Sequence, residues 1–141
     1  MVKKALITKI RNDFRFLIND SRVLALLLFG SYLDETLITS RSDLDICIVA
    51  PFTKKPEKLL SDVFSRIRSS KYDIKIFELL PLYLKIEIIE NHLVIFAKDL
   101  PELYEYFYFY RKLWKDQAYR NRVSRDDILR ILKRHHPTKR N

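Results

Sequence analysis

Glycine is nearly missing from this chain: Gly30 is the only one in 141 residues. Glycine serves where the backbone turns sharply or where another group closes on it, so the other turns are built without it and Gly30 meets a special demand. Cysteine is as scarce. The lone Cys47 excludes an internal disulfide, and its place among Ile46, Ile48 and Val49 suits a small buried hydrophobe better than a reactive thiol. No apolar run reaches the roughly 20 residues of a membrane span, and in "MVKKALITKIRNDF" charge returns too soon for a secretory leader. A cytoplasmic protein with no membrane span is expected.

Hydrophobic residues make up 48% of the chain and charged residues 32%, enough for one substantial core and too little chain for two comfortable domains. The net charge of +9 is unevenly placed. Residues 1–110 carry 16 basic and 15 acidic side chains, whereas residues 111–141 carry 11 basic and 3 acidic. A segment of that kind attracts polyanions such as RNA, or is a solvated helix with a frayed tail.

Periodicity predicts the elements. Leu6, Ile10, Phe14, Leu17 and Ile18 mark an amphipathic helix over Ala5 to Asp20, followed by a strand from Arg22 to Phe29. After Gly30-Ser31 a short segment runs to Ser40, and a second strand spans Leu44 to Val49. Pro51 and Pro56 bracket a loop, then Leu59, Leu60, Val63, Phe64 and Ile67 recur at helical spacing. "KYDIKIFEL" alternates like a strand, "PLYLKIEIIENH" reads as a helix opened by Pro81, and "LVIFA" as a last strand. The remainder is helical. Leu103, Phe107, Tyr110 and Trp114 share one face, leaving Tyr104, Tyr106 and Tyr108 for a protein partner, a homodimer contact or a stacking platform. Ser124 and Asp127 form a capping box that opens a separate helix, "DDILRILKR", ended by Pro137. This order predicts an α/β (α+β) fold, a small mixed sheet flanked by helices. Residues 1–98 form the main domain and residues 99–141 an aromatic and basic helical extension packed on it.

Chemistry concentrates in "LLLFGSYLDETLITSRSDLDICIVA". Residues two apart on a strand share a face, so Asp43 and Asp45 project side by side while Leu44 and Ile46 turn to the core. Adjacent carboxylates repel unless a cation lies between them, and Mg²⁺ prefers such hard oxygen ligands shared with phosphates. Gly30-Ser31, at the end of the preceding strand, offers backbone N–H groups to an anion. Asp73, at the start of its own strand with Lys75 on the same face, supplies a third carboxylate to complete a metal shell and take a proton from an attacking hydroxyl. Glu78 is the next candidate for that third role. Arg41 and Lys75 are the cations nearest the expected phosphates, or else pair with the neighbouring carboxylates. His135 and His136 are solvated residues of a basic terminus and not a metal site.

Phe29-Gly30-Ser31, a spacer of eleven residues, then Asp43-Leu44-Asp45-Ile46 resembles the signature of the DNA polymerase beta-like nucleotidyltransferase superfamily, and the chain looks like one of its minimal members over residues 22–97. The resemblance implies a nucleoside triphosphate, usually ATP, two Mg²⁺ ions, and transfer of the nucleoside monophosphate to a hydroxyl. It assigns Gly30 and Ser31 to the triphosphate, Asp43 and Asp45 to the metals, and Asp73 to one metal and the acceptor proton. Some minimal members add AMP to a tyrosine of a small helical HEPN-type toxin, and this chain is a candidate for that antitoxin role by resemblance. Where many minimal members carry a second glycine shortly after the Gly-Ser, this chain has Leu33, Asp34 and Glu35. That departure favours a rival expectation, a non-catalytic nucleotide- or nucleic-acid-binding module that keeps the fold.

Overall fold

A computed structural model describes residues 2–30, 43–67 and 71–135 of the chain. Ser31, Leu33, Asp34, Glu35, Arg41 and His136 lie outside the described residues.

The turns manage without glycine by using side-chain oxygens. Asp20 Oδ1 accepts from the Arg22 N–H at 3.0 Å, Thr53 Oγ1 from the Lys55 N–H at 3.0 Å, and Asp99 Oδ1 from the Glu102 N–H at 3.1 Å, so short polar side chains do what a left-handed residue would otherwise do. Among the described residues only Gly30 has positive φ.

Helix α1 (Val2–Asp13) ends earlier than its periodicity predicts, and Arg15–Asn19 form a 3-10 turn. The tightening keeps Phe14 and Leu17 on one side, because residues three apart eclipse in a 3-10 turn, and both are fully buried. Strand β1 (Ala25–Phe29) likewise begins after the predicted Arg22, whose guanidinium is held by Asp20 at 2.7 Å and Asp62 at 2.9 Å. Then come β2 (Leu44–Val49), α2 (Pro56–Arg66), β3 (Tyr72–Ile76), a 3-10 turn over Phe77–Leu79, α3 (Leu82–Glu90), β4 (His92–Ala97) and α4 (Leu100–His135).

The sheet order is β3-β2-β1-β4, with β1 antiparallel to both neighbours and β2 parallel to β3. Both faces are covered. Leu26, Leu28, Leu44, Ile46, Ile48, Tyr72, Ile74 and Ile76 pack against Ile10, Phe14, Leu59 and Val63 of the α1 and α2 layer. Ala25, Leu27, Phe29, Cys47 and Val49 pack against Ile88 and Ile89 of α3 and Leu103 and Phe107 of α4. Cys47 is wholly buried and its thiol pKa is pushed up by that burial, which fits an inert packing residue.

Helix α4 differs from its sequence reading. It runs unbroken through Ser124, so no capping box opens a second helix there. Pro101 sits in the first turn, where a missing N–H costs nothing, and with neither Gly nor Pro from Glu102 to His135 nothing further interrupts the backbone, while Asp99 supplies the N-cap. No described helix is long and apolar enough to cross a membrane.

Candidate active site

The register puts the site together. In the parallel β2–β3 pair Asp45 lies opposite Asp73, and in the antiparallel β1–β2 pair it lies opposite Phe29; Phe29 in turn lies opposite His92 of β4. Directly paired residues point to the same side of a sheet. Asp73, Asp45, Phe29 and His92 therefore form one row across all four strands, on the face that α3 and α4 cover. Glycine 30 follows Phe29 at the end of this row.

Gly30 has φ +83°, and a Cβ placed on it would lie 2.2 Å from Asp45 Oδ2. The close approach expected at this position is thus made by the Asp45 carboxylate, which lies where any other residue would have a side chain. Gly30→Ala is expected to cost about 1–2 kcal/mol in stability from the left-handed backbone. By pushing the carboxylate aside on the order of 1 Å, it should also slow the nucleotidyl transfer that the sequence resemblance implies by about a hundred-fold. Denaturant unfolding beside a transfer assay checks both, and unaltered transfer would show that the carboxylate's position is not used.

Asp45 is half-buried, and its carboxyl pKa is raised first by burial and then by the charge of Asp73, which is also within hydrogen-bond reach. Asp43 adds to the same repulsion from its exposed position just before β2. Lys75 Nζ lies 3.3 Å from both Asp73 oxygens, pairing with that carboxylate. Among the described residues no three acidic, His or Cys side chains converge on one point. The arrangement is a facing pair, Asp45 and Asp73, with Asp43 contributing charge from alongside. A pair of hard-oxygen groups whose mutual repulsion opposes ionisation is the donor set that a divalent cation relieves, so these residues fit Mg²⁺ chemistry.

Of the residues singled out by sequence, Gly30, Asp45, Asp73 and Lys75 come together, and Asp43 stands apart just before β2, near enough only to add its charge; Ser31 and Arg41 are outside the described residues. Glu78 does not join them. Its Oε1 accepts from the Ala50 N–H at 2.9 Å and its Oε2 from the Tyr106 hydroxyl at 2.7 Å, beyond the end of β2 opposite to Asp45. Burial raises its pKa against these hydrogen bonds. Tyr106, read from sequence as surplus, thereby ties α4 to the sheet, and its ring packs on Phe77. His92 was also missed. Its Nδ1 lies 2.9 and 3.0 Å from the carbonyl oxygens of Ile88 and Ile89, and its ring meets Phe107 edge-on, fixing the end of α3 beside the row. A basic residue just after a helix is the available sequence signal for such a cap.

Residues 14–101 match the family model described as Polymerase beta, Nucleotidyltransferase. A protein of Methanocaldococcus jannaschii, named as a candidate protein adenylyltransferase, is 46% identical over 110 residues, which are 78% of this chain and 84% of the relative. Among solved structures, a chain of a toxin-antitoxin complex with AMP-PNP superposes with TM-score 0.62 at 18% identity, covering 87% of this chain and 98% of its own. A chain from a complex of tri-AMPylated Shewanella oneidensis HEPN toxin with MNT antitoxin superposes with TM-score 0.57 at 18% identity, covering 89% and 98%. At that identity the two structures speak for the fold alone. The family match spans well over half of the chain and takes in the whole Asp73–Asp45–Phe29–His92 row, and with the archaeal relative it establishes that this chain belongs to the polymerase beta nucleotidyltransferase family.

Proposed function

We propose that the chain is an adenylyltransferase that moves AMP from ATP to a hydroxyl of a partner protein, a tyrosine of a small helical HEPN-type toxin, and so acts as that toxin's antitoxin. The observation that carries the chemistry is the facing of Asp45 and Asp73 beside Gly30. The choice of AMP and of a protein acceptor draws support from the name of the archaeal relative and from the AMP-PNP and tri-AMPylated toxin complexes that share the fold.

Asp43, Asp45 and Asp73 are the residues that would hold two Mg²⁺ ions, which when bound supply positive charge against the triphosphate. The acceptor oxygen forms a bond to the α-phosphorus, the bridging bond to the β-phosphate breaks, and pyrophosphate leaves. The proton of the hydroxyl passes to Asp73. Gly30, at the end of β1, and Ser31 are the residues that would offer backbone N–H groups to the phosphates. Arg41 and Lys75 are the cations for the leaving pyrophosphate, with Lys75 exchanging its Asp73 partner for phosphate when nucleotide enters.

The test is incubation of the protein with each labelled nucleoside triphosphate, Mg²⁺ and cell extract. Label from ATP should appear in protein, not in RNA, and only with an intact Asp45. Label in RNA would replace the acceptor, and no label from any of the triphosphates would retire transfer.

A further inference from the structure

The 36 residues of α4 extend for about 54 Å at the usual rise per residue. Only its first part rests on the sheet. Leu103 and Phe107 are fully buried and Tyr106 and Tyr110 half-buried, but from Trp114 to Lys133 every described side chain is exposed. The helical face that carries Leu103, Phe107, Tyr110 and Trp114 continues through Ala118, Asn121 and Arg125, where it is polar, to an apolar end at Ile128 and Leu132, with Ile131 beside them. Ile128, Leu129, Ile131 and Leu132 are each 50–55% exposed. A basic helical segment of this length is marginal by itself in water, and a run of exposed Ile and Leu on it marks a surface that is covered in use.

Where this segment leaves the sheet there is a groove of about 340 Å³ between α3 and α4, with Ile86, Tyr108 and Trp114 as its apolar lining and Arg111, Lys112 and Lys115 around it. Glu90, also in the lining, is paired with Arg111 at 3.4 Å. Charge selects the occupant. Residues 111–135 hold nine Lys and Arg against three Asp, so two copies laid together would bring like charges into register. RNA would satisfy the charge, but phosphates do not cover an Ile and Leu stripe. An acidic protein helix with an apolar face satisfies both.

We propose that the outer part of α4 and the groove at its root form the seat for an acidic partner protein, which lays an amphipathic helix along Ile128, Ile131 and Leu132 and sets an apolar side chain beside Trp114. That this partner is the acceptor of AMP rests on the function proposed above; the seat itself does not.

Trp114 is the only tryptophan, so its emission reports on the groove. The full chain is titrated with a synthetic peptide of about seven helical turns, acidic on one face and leucine-lined on the other, and separately with single-stranded RNA of matching charge. The peptide should shift Trp114 emission to the blue, saturably, and binding should weaken as salt rises. Ile128→Ser with Leu132→Ser, and separately Lys112→Glu with Lys115→Glu, should each weaken binding at least about tenfold while helix content by circular dichroism is kept. Asp45→Asn should bind the peptide as the wild type does, which separates failure of the seat from failure of transfer. No saturable shift with peptide, an equal shift with RNA, or a shift that grows with the concentration of the chain alone would each overturn the proposal.

Discussion

Asp45→Asn is expected to lower nucleotidyl transfer by at least about a thousand-fold, about 4 kcal/mol of transition-state stabilisation, in a protein that remains folded. Asp45 stands between Asp73 and Phe29 in the cross-strand row, and its Oδ2 fills the space over Gly30. Asparagine has the same shape, so the space stays filled and the strand register is undisturbed. What is lost is one of two facing negative charges, and with it half of the donor pair that would hold a divalent ion. The same loss relieves the repulsion that raises the Asp45 pKa, so thermal unfolding should be unchanged or slightly later. Steady-state transfer from labelled ATP, read beside a circular dichroism melt, decides it. Transfer near the wild-type rate would remove Asp45 from the chemistry.

The sequence made β2 legible because its alternation is strict: Leu44, Ile46 and Ile48 to one core, Asp45, Cys47 and Val49 to the other face. It marked Gly30 as a place of close approach and named a phosphate as the group that approaches, whereas the group found there is the Asp45 carboxylate. The group that approaches was not readable, since the Asp45 carboxylate reaches Gly30 only through the β1–β2 pairing. Asp73 was readable as a third carboxylate for the site from its place at the start of a strand, but its pairing with Asp45 was not, for the same cause. Parallel pairing of β2 with β3 joins residues far apart in the chain, and no local pattern encodes it. Glu78 and Tyr106 were misjudged because their partnership spans a strand end and a helix, whereas sequence offered only a carboxylate near a strand and a tyrosine off the apolar stripe. The unbroken course of α4 was misread through a local Ser-x-x-Asp pattern, which names a helix start only where something has ended the helix before it.

Asp73→Asn separates the two tasks of the row. Asp73 is the more exposed member of the facing pair and already shares its charge with Lys75 at 3.3 Å, so it is less confined than Asp45 above Gly30. If its main task is to receive the proton of the acceptor hydroxyl, the variant should bind Mg-ATP within about a few-fold of wild type and transfer at least about a hundred-fold more slowly, the usual scale for a general base. A single-turnover assay beside a nucleotide-binding titration makes the distinction. Asparagine also leaves Lys75 without its anionic partner and free to pair with phosphate, which favours nucleotide binding and sharpens the contrast between the two readouts. Collapse of binding and transfer together would instead make Asp73 chiefly a metal-holding residue, with the proton taken by a group of the acceptor or by water. A normal rate would mean that the carboxylate opposite Asp45 is not the base. The geometry leaves Glu78 no part in replacing it, because both its oxygens are engaged at the far end of β2 by Ala50 and Tyr106.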